Sequence, residues 1–182
     1  LLNAGNDIHS SKTLVYRVEL DVPQIETTVY DENEIITQPV FGLIGVNIET
    51  GEQFLIDVSD KLDNKALGNT IPIENSTLYF YKKNDTTLSI YSYSLEQKEL
   101  VELESVELTK EQLAILKTDV IMQVKDGIVF FAESSNVTDK AMQIMAIDSN
   151  SGELVFEGTI DEKVNQPTKR DELYLSEILF QQ

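Results

Sequence analysis

The 182-residue sequence contains no cysteine, no tryptophan and a single histidine, His9. The missing cysteine excludes disulfide frameworks, thiolate zinc sites, iron–sulfur clusters and a cysteine nucleophile, and one histidine excludes any metal site that needs two. Basic residues are also scarce, with 14 Lys+Arg against 32 Asp+Glu and a formal net charge of −18. The densest basic groups are the pairs Lys82-Lys83 and Lys169-Arg170, each beside acids. Neutralising phosphates supplies most non-specific nucleic-acid affinity, so nucleic acid is not an expected partner. The same repulsion disfavours anionic membrane surfaces. No apolar run reaches the ~18–20 residues of a membrane span, so direct membrane insertion is not expected either. The eight glycines are scattered, with no Gly-x-Gly and no Gly-Lys-Ser/Thr, which leaves no phosphate-cradling loop. There is no Gly-x-Ser-x-Gly elbow, and His9, in the polar stretch Asn6-Asp7-Ile8-His9-Ser10-Ser11, reads as a solvated loop residue.

What is present is β-prone. Hydrophobic residues make up 41%, enough for one domain with a real core. Runs that alternate, or are rich in β-branched and aromatic residues, predict strands at Thr13–Leu20, Phe41–Ile48, Gln53–Val58, Leu78–Lys82, Leu88–Tyr93 and Glu99–Leu108. Further strands are predicted at Val120–Val124, Ile128–Ala132, Met142–Ile147, Leu154–Thr159 and Glu172–Phe180. Asp126-Gly127 between two such runs is a tight-hairpin signal. The strict alternation of Val101-Glu102-Leu103-Glu104 is expected to turn its glutamates to water. Two short helices interrupt the pattern. One is Thr109 to Asp119, with Thr109 as N-cap before Glu111-Gln112, and the weaker one is Ser59 to Leu67, closed by Gly68.

One stretch recurs. Residues 88–101, with Leu88, Ile90, Tyr93, Lys98, Glu99 and Leu100, align without a gap to 142–155, with Met142, Ile144, Ile147, Gly152, Glu153 and Leu154, at a constant offset of 142 − 88 = 54. A shorter copy runs from Ile44 through Glu49-Thr50-Gly51-Glu52 to Phe54, and Glu172-Leu173-Tyr174-Leu175 looks like the opening strand of another. The turns at Gly51, Lys98 and Gly152 imply about four short strands per unit, and one such sheet cannot bury both of its faces alone. Units are expected near 36–75, 76–125 and 126–170, with terminal strands 13–20 and 172–180 that would pair if a ring closed.

The turns Glu49-Thr50-Gly51-Glu52 and Asp148-Ser149-Asn150-Ser151-Gly152-Glu153, with Ser94–Glu99 as a copy lacking glycine, resemble the blade turns of β-propellers of the quinoprotein-like and TolB-like kind. Without tryptophan, the quinoprotein docking residue, the WD dipeptide and the Asp-box aromatic are missing. The expected fold is therefore all-β, with antiparallel four-stranded propeller-like units, a small or partial β-propeller and short helical insertions. The alternative is an irregular β-sandwich.

Candidate site residues follow from composition. Tyr79, Tyr81, Tyr91 and Tyr93, with Phe80, form an aromatic-rich patch suited to a protein or carbohydrate face if exposed, and core if buried. Asp57, Asp60 and Asp63, at spacing three, are the candidate ligands for Ca²⁺, although no Asp-x-Asp-x-Asp-Gly loop accompanies them. No other cofactor is expected. The acidic surface and the lack of a recognisable catalytic group point to a non-enzymatic, extracytoplasmic, bacterial protein-binding or scaffold module that presents β-hairpin loops. Leu1-Leu2 runs straight into polar residues and reads as a processed boundary, with any leader or anchor outside it. Two other readings are a glycoside-type hydrolase using paired carboxylates and a fragment completing a larger propeller.

Overall fold

Residues that alternate in polarity and are punctuated by tight-turn signals pair most readily with their neighbours in sequence, and the described strands do so. The computed structural model describes residues 8–9, 13–20, 40–62, 71–116, 120–133 and 142–160. Among them the fold is all-β, with three open four-stranded antiparallel sheets and one short helix. The first sheet is β1 (Ile8–His9), β2 (Thr13–Leu20), β3 (Val40–Asn47) and β4 (Gln53–Ile56). The second is β5 (Ile73–Glu74), β6 (Thr77–Lys83), β7 (Thr87–Ser94) and β8 (Glu99–Glu107). The third is β9 (Val120–Lys125), β10 (Ile128–Glu133), β11 (Met142–Asp148) and β12 (Leu154–Ile160). In each sheet spatial order follows chain order. The chain divides into two compact units, Leu1–Gly68 and Asn69–Gln182, with the first sheet in one and the other two in the second.

Sheet boundaries fall where the turns put them. Val120–Lys125, expected to close the unit before it, instead opens the third sheet, because Asp126 and Gly127 at φ 52° and 78° fold it directly onto β10. Both central residues of a type I′ turn need positive φ. An equivalent turn at Asn75-Ser76, φ 49° and 60°, joins β6 to the two-residue β5, a strand the sequence pattern did not single out. The expected terminal strand 172–180 lies outside the described residues, as does most of the Ser59–Leu67 helix; Leu62 N–H donating to the Val58 carbonyl at 2.9 Å closes one helical turn at its start.

The helix expected from Thr109 is α1 (Lys110–Ile115). Its six residues are held by a capping box: Thr109 Oγ1 accepts from Gln112 N at 3.2 Å, while Gln112 Oε1 accepts from Thr109 N at 2.9 Å. These reciprocal bonds satisfy donors that a helix start otherwise leaves orphaned. The helix buries Leu113 and Ile115, and Leu116 follows them, its carbonyl accepting from Lys83 Nζ at 2.6 Å.

Packing in the second unit joins unlike faces of two sheets. In the second sheet, Tyr81 opposite Ile90 and Lys83 opposite Leu88 define one face, while Leu78 opposite Tyr93 and Phe80 opposite Tyr91 define the other. In the third, Val129 opposite Ile147 and Phe131 opposite Met145 share a face with Met122 and Val124. The main core combines Tyr81, Leu88 and Ile90 with Met122, Val124, Val129, Phe131, Met145 and Ile147, and α1 and Val120 complete it. Tyr81 meets Phe131 edge to face, with ring centroids 5.3 Å apart, a geometry the ring quadrupoles favour. Met145 and Ile147 are the sequence counterparts of Tyr91 and Tyr93 (145 − 91 = 54), yet those tyrosines lie on the second sheet's other face. The two sheets therefore stack head to tail rather than through matching faces.

This stacking separates Ile90 from Ile144, which the recurrence in sequence makes equivalent and equally buried. Ile90 is 0% exposed beneath the third sheet, whereas Ile144, on the third sheet's outer face opposite Ala132, is only half-buried. A bulge also corrects the expectation for β8. Register shifts between Ile90 and Tyr91, so that they pair with Glu104 and Glu102. The alternation is broken there, leaving Val101 43% exposed and Glu104 half-buried.

Truncating Ile90 to Ala should cost about 2–5 kcal/mol, as for core aliphatics, and truncating Ile144 clearly less. Chemical denaturation of the two variants measures the difference, and equal losses would contradict the head-to-tail arrangement. Replacing Gly127 by Val places a β-branched residue at φ 78° and should cost roughly 1–3 kcal/mol. The denaturation midpoint reports it.

Candidate interaction surface

Three long turns share one construction. In each, the residue closing the strand accepts hydrogen bonds from the turn's own amides. Asn47 Oδ1 accepts from Glu49 N (2.9 Å) and Thr50 N (3.1 Å), and Asp148 Oδ1 accepts from Asn150 N (2.8 Å) and Ser151 N (3.1 Å). Ser94 Oγ accepts from Gln97 N at 3.1 Å in the same way. Backbone bonds then close each loop: Gly51 N to Asn47 O, Lys98 N to Ser94 O and Gly152 N to Asp148 O, at 2.8–2.9 Å. The donor residue has a left-handed φ in all three, 72° at Gly51, 55° at Lys98 and 70° at Gly152. Glycine takes that conformation without steric cost; lysine does not.

Two of these turns sit at corresponding ends of their sheets. Leu95 N donates to Ser76 O at 3.0 Å, so the 94–99 turn lies beside the Asn75-Ser76 hairpin. In the same manner Ser149 N donates to Gly127 O at 2.9 Å, and Ser149 Oγ reinforces the bond at 2.7 Å. Glu74 ties the two ends together, its carboxylate accepting from Asp126 N at 2.8 Å and Gly127 N at 3.4 Å. Composition did not mark Glu74. A single acid before a hairpin carries no pattern, and its partners lie 52 and 53 residues away. The opposite end of the second sheet carries the exposed turn Asn84-Asp85-Thr86.

The turn tips are exposed and acidic, through Glu49 and Glu52 in the first sheet, Glu96 and Glu99 in the second and Glu153 in the third. Their frames repeat while their tip side chains differ. That combination can offer shape and charge to a partner.

The four tyrosines do not form an exposed face. Tyr81, Tyr91 and Tyr93 are buried, because both faces of the second sheet are covered, and Tyr79 is half-buried on the Tyr81 face. Burial raises the Tyr91 and Tyr79 hydroxyls above their ordinary range, with Glu102 and Glu74 respectively adding to the effect. Burial alone pushes Tyr81 up to about 12.

Of the three aspartates, Asp57 and Asp60 lie among the described residues. Asp57 is exposed and occupied locally: its Oδ1 accepts from Ser59 Oγ at 2.7 Å and Ser59 N at 3.0 Å, which holds its carboxyl below the usual range. Asp60 is exposed, and Asp63 lies outside the described residues. Among the described residues no three His, Cys, Asp or Glu side chains come together as a metal site would require.

No family model matches the chain, and no curated protein matches it. Among solved structures it is similar to one titled "AtxE2 Isopeptidase - APO", at 10% identity and a TM-score of 0.27, over 81% of this chain and 26% of that one. This chain thus spans about a quarter of that structure's length. A likeness of that size carries no argument about fold or activity.

Tyr81 gives the core a dependence on alkaline pH. Its folded-state pKa of about 12 lies above the model-peptide 10.0, so the folded state keeps a proton that the unfolded chain loses. Its stabilising contribution is complete below pH 10 and declines as pH rises toward 12, with a slope of at most about 1.4 kcal/mol per pH unit. Denaturation midpoints across that window should fall for the wild type and fall less for Tyr81→Phe.

Proposed function

We propose that this chain is a non-enzymatic, extracytoplasmic protein-binding module of propeller-like build, which meets its partner through the ends of its hairpin turns. The observation that carries the reading is the shared frame of the turns 47–52, 94–99 and 148–153. Rigid loops with exchangeable tips on a sheet scaffold are a common way to build a recognition surface. Their acidity, within a net charge of −18, favours a partner with a basic face. Head-to-tail stacking of the second and third sheets supports a propeller-like array over a sandwich, in which paired sheets share one interior. The absence of cysteine suits an exported chain that folds without disulfides.

The test is site-specific photo-crosslinking in cells of the native source. A crosslinker at Glu96 or Asn150 should trap a protein, whereas one at Asp85, at the opposite end of the second sheet, should not. Changing Glu49, Glu52, Glu96, Glu99 and Glu153 to Gln should slow association with the trapped protein about tenfold or more at low salt, with the difference shrinking as salt is added. Crosslinks from Asp85 alone, or association indifferent to these substitutions, would overturn the proposal.

A further inference from the structure

A sheet that ends on an unpaired strand offers a row of free amides and carbonyls to any extended chain, unless that strand is very short or carries charge along its length. Among the described residues, no strand pairs the outer edges of β4, β8 and β12. β4 has only four residues, and β8 carries Glu99, Glu102, Glu104 and Glu107. At the third sheet's other edge, β9 buries Val120, Ile121, Met122 and Val124. β12 has none of these safeguards. Its seven residues, Leu154 to Ile160, hold one acid, Glu157, and no proline. Val155 and Phe156 are 49% and 51% exposed, and Glu157 and Thr159 are exposed beside them. Glu157 is engaged by α1, its Oε2 accepting from Gln112 Nε2 at 2.8 Å. Beyond the register shift at Ala146/Ile147, Phe156 to Ile160 pair with β11 without a break. The Phe156 ring lies over Gly158, where an added Cβ would come within 2.8 Å of it, and so fills the gap that a glycine leaves in a strand. The result is a regular, largely apolar, exposed edge. Acids flank it in sequence, Glu153 on one side and Asp161-Glu162 on the other.

We infer that β12 is a strand-addition site whose occupant is an extended segment of a partner protein, apolar in its middle and basic at its ends. In strand addition, main-chain hydrogen bonds to the open edge supply the affinity and side chains supply the choice of partner. Five residues laid along Phe156–Ile160 span about 17 Å. Apolar side chains of the segment lie beside Val155 and Phe156, and Lys or Arg at its ends answer the flanking acids. A second copy of this chain is a poor occupant, because it brings a charge of −18 against −18. The site goes beyond the proposed function, which uses the turn tips. The crosslinking positions Glu96 and Asn150 lie off β12, so either reading can fail without the other.

The experiment is residue-level hydrogen exchange of the full chain, alone and with the peptide Lys-Lys-Val-Thr-Val-Thr-Val-Lys-Lys. In the free chain, alternate amides of β12 should exchange freely, because an edge strand turns every second amide outward. With the peptide they should slow at least tenfold, while the amides of β8 stay unchanged. The same peptide N-methylated at its five central residues keeps its charge but loses its backbone donors, and it should give no slowing. Val155→Lys combined with Thr159→Lys, at two exposed positions, gives β12 a charged edge. That variant should lose the slowing while its circular dichroism matches the wild type. A free chain in which every β12 amide is already slow overturns the inference, because the edge is then taken by the chain itself. So does the absence of slowing with the peptide in large excess. Slowing shared equally by β8, or produced equally by the methylated peptide, overturns it too, since charge alone would then account for binding.

Discussion

Tyr81, Leu88 and Ile90 cannot be left in water, and the second sheet has no means of covering them by itself. Each buried aliphatic is worth about 1.5–3 kcal/mol relative to exposure, a sum comparable with the whole stability of a domain of this size. The third sheet and α1 supply the cover. Most of what is distinctive in the second unit serves that contact. The capping box keeps a six-residue helix long enough to deliver Leu113 and Ile115, Lys83 holds the carbonyl of Leu116, and Glu74 holds the first hairpin of the third sheet.

The contact has a direction. Two sheets descended from one pattern could pack through matching faces, which would bury both good surfaces and end the structure there. Here the counterparts of the third sheet's core residues Met145 and Ile147 are Tyr91 and Tyr93, buried on the side of the second sheet turned away from the main core. Stacking of this polarity can extend as an array or close into a ring, which matching-face packing cannot do. Arrays are built this way, and the half-exposed Ile144 is the local sign of it.

Charge and turn design act on a separate level. An excess of acids does not select the fold, but it sets which surfaces attract and which repel. The turn frames are held by Asn47, Ser94 and Asp148 with residues of left-handed φ, so the tips are free to vary without disturbing the strands. Lys98 fills the position that Gly51 and Gly152 occupy elsewhere, at a conformational cost that the backbone bond from Lys98 N to Ser94 O helps offset.

Local chemistry alone determined most of the strands, the Thr109 cap, the Asp126-Gly127 hairpin and the kinship of the three long turns. Each depends on residues within a few positions of one another, where period-two alternation, capping and positive φ leave their marks. Tertiary structure decided what lies between distant residues. Alternation says that Ile90 and Ile144 face one way, not which of them another sheet will cover. The tyrosines from 79 to 93 read equally as core or surface until both faces of their sheet were seen to be occupied. The bulge opposite Tyr91 exposed Val101 against the alternation, and Glu74 found its partners 52 and 53 residues away. Pairing, covering and latching are contacts between segments far apart in the chain, and no short window of sequence contains both halves of any of them.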